Sequence, residues 1–432
     1  MDKNRDRHPM ASLEMINFTR MSSTVAEGRV HWSRVDQAAI RGLPQIFWSD
    51  NTPWREANLW ATQRAADKST NVKTILSAMK HIHAYAIWLE RESIDWWHFP
   101  IREADRCLLK FRGHLIHQRD NGQISPSTSS QRINAVIRFY RWLKKENLIS
   151  SQNPMWNDRK IGIHIEDSMG FVRTIEKEAT DLSIRNTKKI GRALEDGLLP
   201  VSSEAATQIL NFADTNASVE LALMLKLGFT TGMRIGTICD LKELTIEHSV
   251  PNPWIPDWHL LAVGPGAHPS VHTKLGVTGQ VWISNSVLQI LREYMFSTRR
   301  LKRQALAKPE HRDVIFLNRF GKPYASEGVD SSQAINVEMT RLRKAGLTHG
   351  IKSLRDFHFH RTRCTFGTEL ARVTLKHGGA KTAISLVMLA LLHRDERTTL
   401  RYIKFVEQQA AASELGNEYT RNFLSLDFRP TK

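Results

Sequence analysis

Cysteine is nearly missing from this chain: 432 residues carry three, Cys107, Cys239 and Cys364, and no CxxC spacing occurs. That scarcity argues against a disulfide framework and a zinc site, and predicts a reducing compartment. Long apolar runs are missing as well. The longest, near residues 385–392, falls well short of the roughly 20 residues that a membrane span requires. The opening MDKNRDRHPM is charged and no apolar stretch follows it, so a secretory signal is not expected. A Walker loop, paired carboxylates and metal-ligand spacing are all lacking, as are internal repeats and low-complexity tracts. Nothing therefore asks for a cofactor or a metal.

Acidic residues are outnumbered. Lys and Arg total 61 against 44 Asp and Glu, a formal net charge of +17. Such an excess attracts polyanions, and for a soluble protein the usual one is nucleic acid. The expected setting is cytoplasmic and DNA-associated, with no membrane. A length of 432 residues with 41% apolar content is too much for one typical core and predicts two or three domains.

Residues 1–50 mix charge, Ser and Gly without clear periodicity and read as an N-terminal arm or appendage. Residues 51–160 are helical in pattern. In KTILSAMKHIHAYAIWLERESI the apolar positions Ile75, Met79, Ile82 and Tyr85 recur at three and four, as one buried face requires. A second segment, SSQRINAVIRFYRWLKKENLISSQNP, starts on Ser/Thr capping chemistry and stops at Asn153-Pro154. Its polar face carries Arg132, Arg138, Arg141, Lys144 and Lys145, which are either a solvated face or contacts to DNA phosphates. Residues 161–199 lose periodicity and read as a linker. A second domain then opens at Leu199-Pro200-Val201-Ser202 and runs over 200–410, with helices, a β-rich section from WHLLAV through HTKLGVTGQVWIS, and helices again. Gly276 and Gly279 mark a turn between two strand-like pieces there. Residues 411–432 form a C-terminal tail that can make an amphipathic, subunit-docking helix.

Four features of the second domain carry little weight singly. TTGMRIGTICDLK puts Arg234 after a Gly turn, and HTKLGVTG places Lys274 beside a turn. HFHRTRCTFGTEL holds His360 and Arg363, three apart and hence on one helix face. LLHRDERTTLRYIKF supplies His393 and Tyr402. In their order and spacing, together with VIFLNRFGKPYAS between Lys274 and His360, they resemble the catalytic pattern of the tyrosine recombinases, the phage-integrase family. The likeness spans roughly residues 200–410, and more loosely 51–160, which is similar to the family's core-binding domain.

The resemblance implies a mainly α fold with a small β-sheet: a helical core-binding domain plus an α+β catalytic domain, forming a DNA clamp. It implies a site-specific recombinase or integrase that cleaves and rejoins double-stranded DNA through a 3′-phosphotyrosyl intermediate, without metal or ATP. Chemistry gives each residue a reason. Attack on a phosphodiester gathers negative charge on the nonbridging oxygens, which Arg234 and Arg363 can hold. Forming a tyrosine phenolate at neutral pH costs about 4 kcal/mol, which a cationic pocket and a proton-accepting His360 reduce. His393 then bonds a phosphoryl oxygen, Lys274 protonates the leaving 5′ oxygen, and Thr398 or Thr399 caps the short helix presenting Tyr402.

Two positions depart from the family pattern. Thr237 stands where an acidic residue usually follows the first arginine, with Asp240 near, so Arg234 needs another partner. Leu392 replaces the glycine before the third-motif histidine; leucine resists positive φ, which predicts a differently shaped turn. The basic run TRRLKRQALAKPEHR, with Arg299, Arg300, Lys302 and Arg303, reads equally as DNA contact or exposed helix. Assembly into a homotetramer on paired sites is expected from the family's tails, with accessory recombination proteins left open. The alternatives are a type IB topoisomerase-like relaxing enzyme and a DNA-binding factor with a degraded site.

Overall fold

The computed structural model describes residues 10–35, 39–67, 70–166, 172–186, 194–324 and 333–422. The expected arm and linker therefore lie partly outside the described residues, as do positions 423–432 of the tail. The chain divides into two compact units, Met1–Ile190 and Gly191–Lys432, so the boundary falls inside the stretch expected as a linker.

The first unit is built on four helices, α1 (Arg55–Ala66), α2 (Val72–Glu92), α3 (Cys107–Asp120) and α4 (Pro126–Lys145). Asn71 and Ser125 cap α2 and α4 through their side chains, each accepting an early backbone N–H. The faces so oriented bury Ile75, Met79, Ile82 and Tyr85 against Phe111, Ile133 and Tyr140. Trp54 lies at the centre at 1% exposure, edge-on to Phe139 with ring centroids 5.4 Å apart. Tyr85 and Tyr140 are both wholly buried, and their hydroxyls satisfy each other at 2.9 Å.

Two expectations for this unit need correction. The described part of the first 50 residues is not a separate arm: β1 (Ser12–Phe18) and β4 (Ile40–Phe47) pair antiparallel, and Leu43 and Ile46 are fully buried in the helical core. Glu90 on α2 fastens the two strands at their common end, accepting from Ala11 N–H at 2.6 Å and Ser49 N–H at 2.7 Å. Pro44 and Gly42 interrupt the strand pattern and hide it from a periodicity reading. Between these strands, β2 (Met21–Ala26) and β3 (Arg29–Arg34) form an exposed hairpin. The linker is likewise structured in part, since β5 (Asp158–Glu166) pairs with β6 (Val172–Thr180), and Leu182 and Ile184 return to the core.

The second unit packs α5 (Ser203–Asn216), α6 (Val219–Thr231), α7 (Ile235–Cys239), α8 (Glu243–Glu247), α9 (Asn285–Met295), α10 (Thr298–Leu306), α11 (Gln333–Thr348), α12 (His360–Ala390) and α13 (Glu396–Asn422). With them goes one antiparallel sheet in the order β7 (Val250–Pro251), β8 (Trp258–Val263), β9 (Gly279–Ser284). The apolar helix α6 is buried at Leu221, Met224, Leu225 and Leu227, as expected of a helix hydrophobic on all sides. The loop holding Lys274 runs from Val263 to Gly279, which are paired in the β8–β9 register. HTKLGV is thus loop and 3₁₀ turn rather than strand, and Gly279 begins β9 instead of lying in the turn. Helix α12 is broken at Gly379, and among the described residues no helix is long and apolar enough to cross a membrane.

Because Ile46 is fully buried, Ile46→Ala should lower unfolding free energy by about 2–5 kcal/mol. Urea denaturation followed by tryptophan fluorescence reads this; a change near zero would mean the N-terminal strands do not share the helical core.

Candidate active site

A turn, two helix starts and one helix end meet in the second unit. Helix α6 stops at Gly232, whose φ of +66° suits glycine. A Cβ there would lie 2.4 Å from a Phe366 ring carbon, so the position tolerates no side chain. The turn releases Arg234 as the first flanking residue of α7 and aims the Gly232 carbonyl at Arg363. Arg363, on the first turn of α12 and 3% exposed, donates from Nη1 to that carbonyl at 2.8 Å and from Nη2 to the Leu391 carbonyl at 2.7 Å. Its guanidinium is therefore held rigidly by backbone from two ends of the fold.

The end of α12 delivers His393. Leu391 follows the last helical residue as its cap, Leu392 takes φ +50°, and the N–H groups of Leu392 and His393 bond back to the Leu389 and Met388 carbonyls. This is the hydrogen-bond pair of a left-handed helix terminus usually served by glycine. The expectation of a differently shaped turn is thus corrected: leucine adopts the strained conformation, held by partial burial against the main core.

Helix α13 then presents Tyr402. Asp395 caps it, accepting from Arg397 N–H at 3.0 Å, so neither Thr398 nor Thr399 is the cap. Thr399 is wholly buried and its hydroxyl meets His393 Nδ1 at 2.9 Å. Tyr402, also wholly buried, lies against Gly367 of α12, where a Cβ would come within 2.6 Å of the ring. The tyrosine helix continues unbroken to Asn422, so the expected division at 410–411 is not a break between helices.

These side chains converge on a carboxylate that the sequence reading did not single out. Glu195, in the 3₁₀ turn Glu195–Gly197, is 7% exposed. Its Oε1 accepts from His393 Nε2 at 2.7 Å, Tyr402 Oη at 3.1 Å and Arg363 Nε at 3.2 Å. Its Oε2 accepts from Arg234 Nη2 at 3.2 Å and lies 3.6 Å from His360 Nε2. Burial pushes the Glu195 carboxyl up, but hydrogen bonds from the histidines and the Arg363 charge outweigh it and hold the group far below the carboxylate range. Burial lowers His393 despite that carboxylate. A neutral ring donating from Nε2 must accept at Nδ1, so the Thr399 hydroxyl is the donor. Burial first, and then the Glu195 charge, raise the Tyr402 phenol well above its ordinary value.

Of the six expected catalytic residues, Arg234, His360, Arg363, His393 and Tyr402 thus surround one anion. Lys274 is exposed, but with Arg234 and Arg363 it lines an adjoining cavity of about 20 Å³. Asp240, considered as a partner for Arg234, instead accepts from His272 N–H at 2.6 Å and tethers the Lys274 loop. The acidic partner of Arg234 is Glu195, 39 residues upstream.

The basic run on α10 needs correction. Arg300 is 1% exposed, pairs with Glu243, and donates to the Arg312 and Val314 carbonyls at 2.9 Å each. Arg299 and Arg303 neutralise the fully buried Glu220, each at 2.8 Å. An uncompensated carboxylate there would be costly, so these arginines serve the fold; Lys302 is left exposed. In the first unit, Arg138 is exposed and Arg132 half-buried, while Arg141 pairs with Asp158 at 3.0 Å. Lys144 and Lys145 end α4 in solvent. Arg64 and His81, which sequence reasoning passed over, lie beside these cations: burial and then the charges of Arg132 and Arg138 lower His81, and burial and then Arg138 lower Arg64.

Residues 201–409 match the model of the phage integrase family. Among solved structures, the chain is similar to the Tn1549 transposon integrase in complex with transposon right end DNA, at 14% identity over 84% of this chain and 98% of that one, with a TM-score of 0.48. It is also similar to a lambda integrase dimer bound to a core site, at 14% identity, 81% and 93% coverage and a TM-score of 0.44. XerA recombinase is a third, at 14% identity, 83% and 97% coverage and 0.33. No curated protein matches.

Thr399→Val should leave His393 Nδ1 without its donor, at about 1–3 kcal/mol. The check is the imidazole ¹⁵N spectrum together with thermal unfolding. An unaltered ring signal and melting temperature would show that the Thr399 hydroxyl does not orient the histidine.

Proposed function

We propose, since residues 201–409 match the phage integrase family, that the protein is a site-specific recombinase that cuts and reseals duplex DNA through a tyrosyl phosphate. The observation that carries this reading is the convergence of Arg234, Arg363 and Tyr402 on the same two oxygens of one anion. Two guanidiniums that bind a carboxylate can bind the nonbridging oxygens of a phosphodiester by the same charge-assisted contacts. Their value increases in the transition state, where those oxygens gather charge.

The steps balance without an outside reagent. Tyr402 Oη bonds to phosphorus while the bond from phosphorus to the 5′ oxygen breaks. His360 takes the phenol proton, and the leaving oxygen accepts one from Lys274. His393, donating from Nε2 with Thr399 behind it, holds a phosphoryl oxygen. The products are a 3′-phosphotyrosyl link and a 5′ hydroxyl, and a 5′ hydroxyl from another strand reverses the step. One phosphoester replaces another, so the bond energy is kept and ATP is not consumed.

The charge on the site is supplied by side chains, two guanidiniums against one carboxylate. Tyr402 lies in the pocket of its own chain, which supports cleavage in cis. The cationic face of Arg64, Arg132 and Arg138 supports phosphate contacts by the first unit, which position the protein without reading sequence. Exchange between two paired sites requires four protomers, and Leu415 on the far part of α13, 66% exposed, offers an apolar handhold for a neighbour. Light scattering that finds only monomers on paired sites would remove the tetramer from this reading.

On a nicked suicide duplex, Tyr402→Phe should abolish the covalent adduct while leaving DNA affinity nearly unchanged, as read by denaturing gels and filter binding. An undiminished adduct would refute the nucleophile. In the same assay Lys274→Ala should be slow on ordinary DNA and recover on a 5′-bridging phosphorothiolate, whose sulfur leaves without a proton; failure to recover would count against a proton-donating lysine.

A further inference from the structure

Glu195 is the one member of the cluster for which the strand-transfer chemistry has no task. A carboxylate that merely orients an arginine touches that arginine and little else. Glu195 uses both oxygens, and between them they engage Arg234, Arg363, His393 and Tyr402, with His360 at 3.6 Å. Those are the groups that a bound phosphodiester has to meet. A carboxylate and a phosphodiester are both monoanions with two terminal oxygens, so donors arranged for one suit the other.

A leftover donor and the docking of the segment lead to the same conclusion. The cavity lined by Arg234, Lys274 and Arg363 holds about 20 Å³, room for roughly one water molecule. Arg234 Nε is buried and has no hydrogen-bond partner among the described residues, so a donor is left over that the carboxylate does not reach. The segment bearing Glu195 is also docked on the catalytic elements themselves. Leu194, 2% exposed, packs in the apolar cluster of Tyr402, Leu391 and Val406. Just beyond the turn, Arg361 Nε donates to the Leu199 carbonyl at 2.9 Å, and the Thr365 hydroxyl accepts from Val201 N–H at 3.0 Å.

We propose that Glu195 is an internal stand-in for the scissile phosphate: it fills the anion seat of the resting protein, holds Tyr402 as a neutral phenol, and is displaced when a DNA phosphodiester enters. The seat follows from the geometry alone, whereas the identity of the incoming anion rests on the recombinase reading. Protonation is not the release, because the carboxyl is held far below physiological pH; exchange for another anion is. The competing role, a carboxylate that stays in place to orient Arg234 where Thr237 offers no acid, predicts the opposite effect of removing it.

The experiment uses the full chain with Glu195→Gln, which keeps the shape, and Glu195→Ala, which empties the seat. At limiting suicide duplex, both variants should form the Tyr402 adduct several-fold faster than the parent protein. A loss of adduct with an unchanged melting temperature would overturn the proposal and assign Glu195 to orienting the arginines. The second measurement needs no DNA. Inorganic phosphate, against chloride at matched ionic strength, should raise the melting temperature of Glu195→Ala and leave the parent unmoved, and adding Arg363→Ala should erase that response. Equal phosphate stabilisation of parent and variant would overturn the seat. Absence of adduct in every protein would refute the recombinase reading, and the phosphate response would still decide the seat. Should Glu195→Ala fail to fold, Glu195→Gln serves for the adduct and Glu195→Ser, which also shortens the side chain out of the seat, for the phosphate response.

Discussion

Two guanidinium groups share a largely dry pocket, and like charges in that setting demand an anion. Arg363 cannot shed its charge, is almost wholly buried, and is fixed by two backbone carbonyls that neutralise none of it. Arg234 approaches the same point from the other side of the Gly232 turn. In free protein the Glu195 carboxylate answers the demand; in the proposed reaction a phosphodiester does. Much of the local structure can be read as the means of keeping these cations together: the glycine that lets a chain turn pass between α6 and α12, the strained Leu392 that ends α12, and the threonine that fixes the ring of His393.

The same rule operates away from the site. Glu220 is fully buried and draws in Arg299, Arg303 and the Tyr294 hydroxyl, and Arg300 is satisfied by Glu243 and two carbonyls. A run of basic residues on α10 therefore spends most of its charge inside the fold. On α2 and α4, burial and then the charges of Arg132 and Arg138 act on His81, while Arg141 of α4 is paired with Asp158. What faces a cation is therefore more informative than the net charge.

Tyr402 illustrates how a reactive group is kept quiet. Its ring is packed against Gly367 with no room to spare, and its hydroxyl donates to a carboxylate that disfavours ionisation. In the proposed exchange a phosphodiester takes the place of that carboxylate, so that an acceptor holding the proton gives way to an electrophile. In the proposed displacement the element that moves is the short turn bearing Glu195.

The order and spacing of Arg234, Lys274, His360, Arg363, His393 and Tyr402 were readable along the chain, because each motif is a local pattern tied to a helix start or a glycine turn. The capped, periodic helices from 51 to 160 were readable for the same reason. Three things were not. The strands holding Leu43 and Ile46 carry a proline and a glycine, so no alternation announces them, and only the helical core they cover makes them strands. Arg300 is a solvated cation or a buried strut depending on whether Glu243 folds against it, which is a matter of distant segments meeting. Glu195 lies in an aperiodic acidic stretch, ALEDGLLP, indistinguishable from a loop until the fold brings it to the arginines. The chain by itself determined which chemistry its residues are suited to, since side-chain type and short spacing are local properties. Which anion neutralises that chemistry at rest was decided only in three dimensions, because electrostatic compensation depends on separation in space and takes no account of separation in sequence.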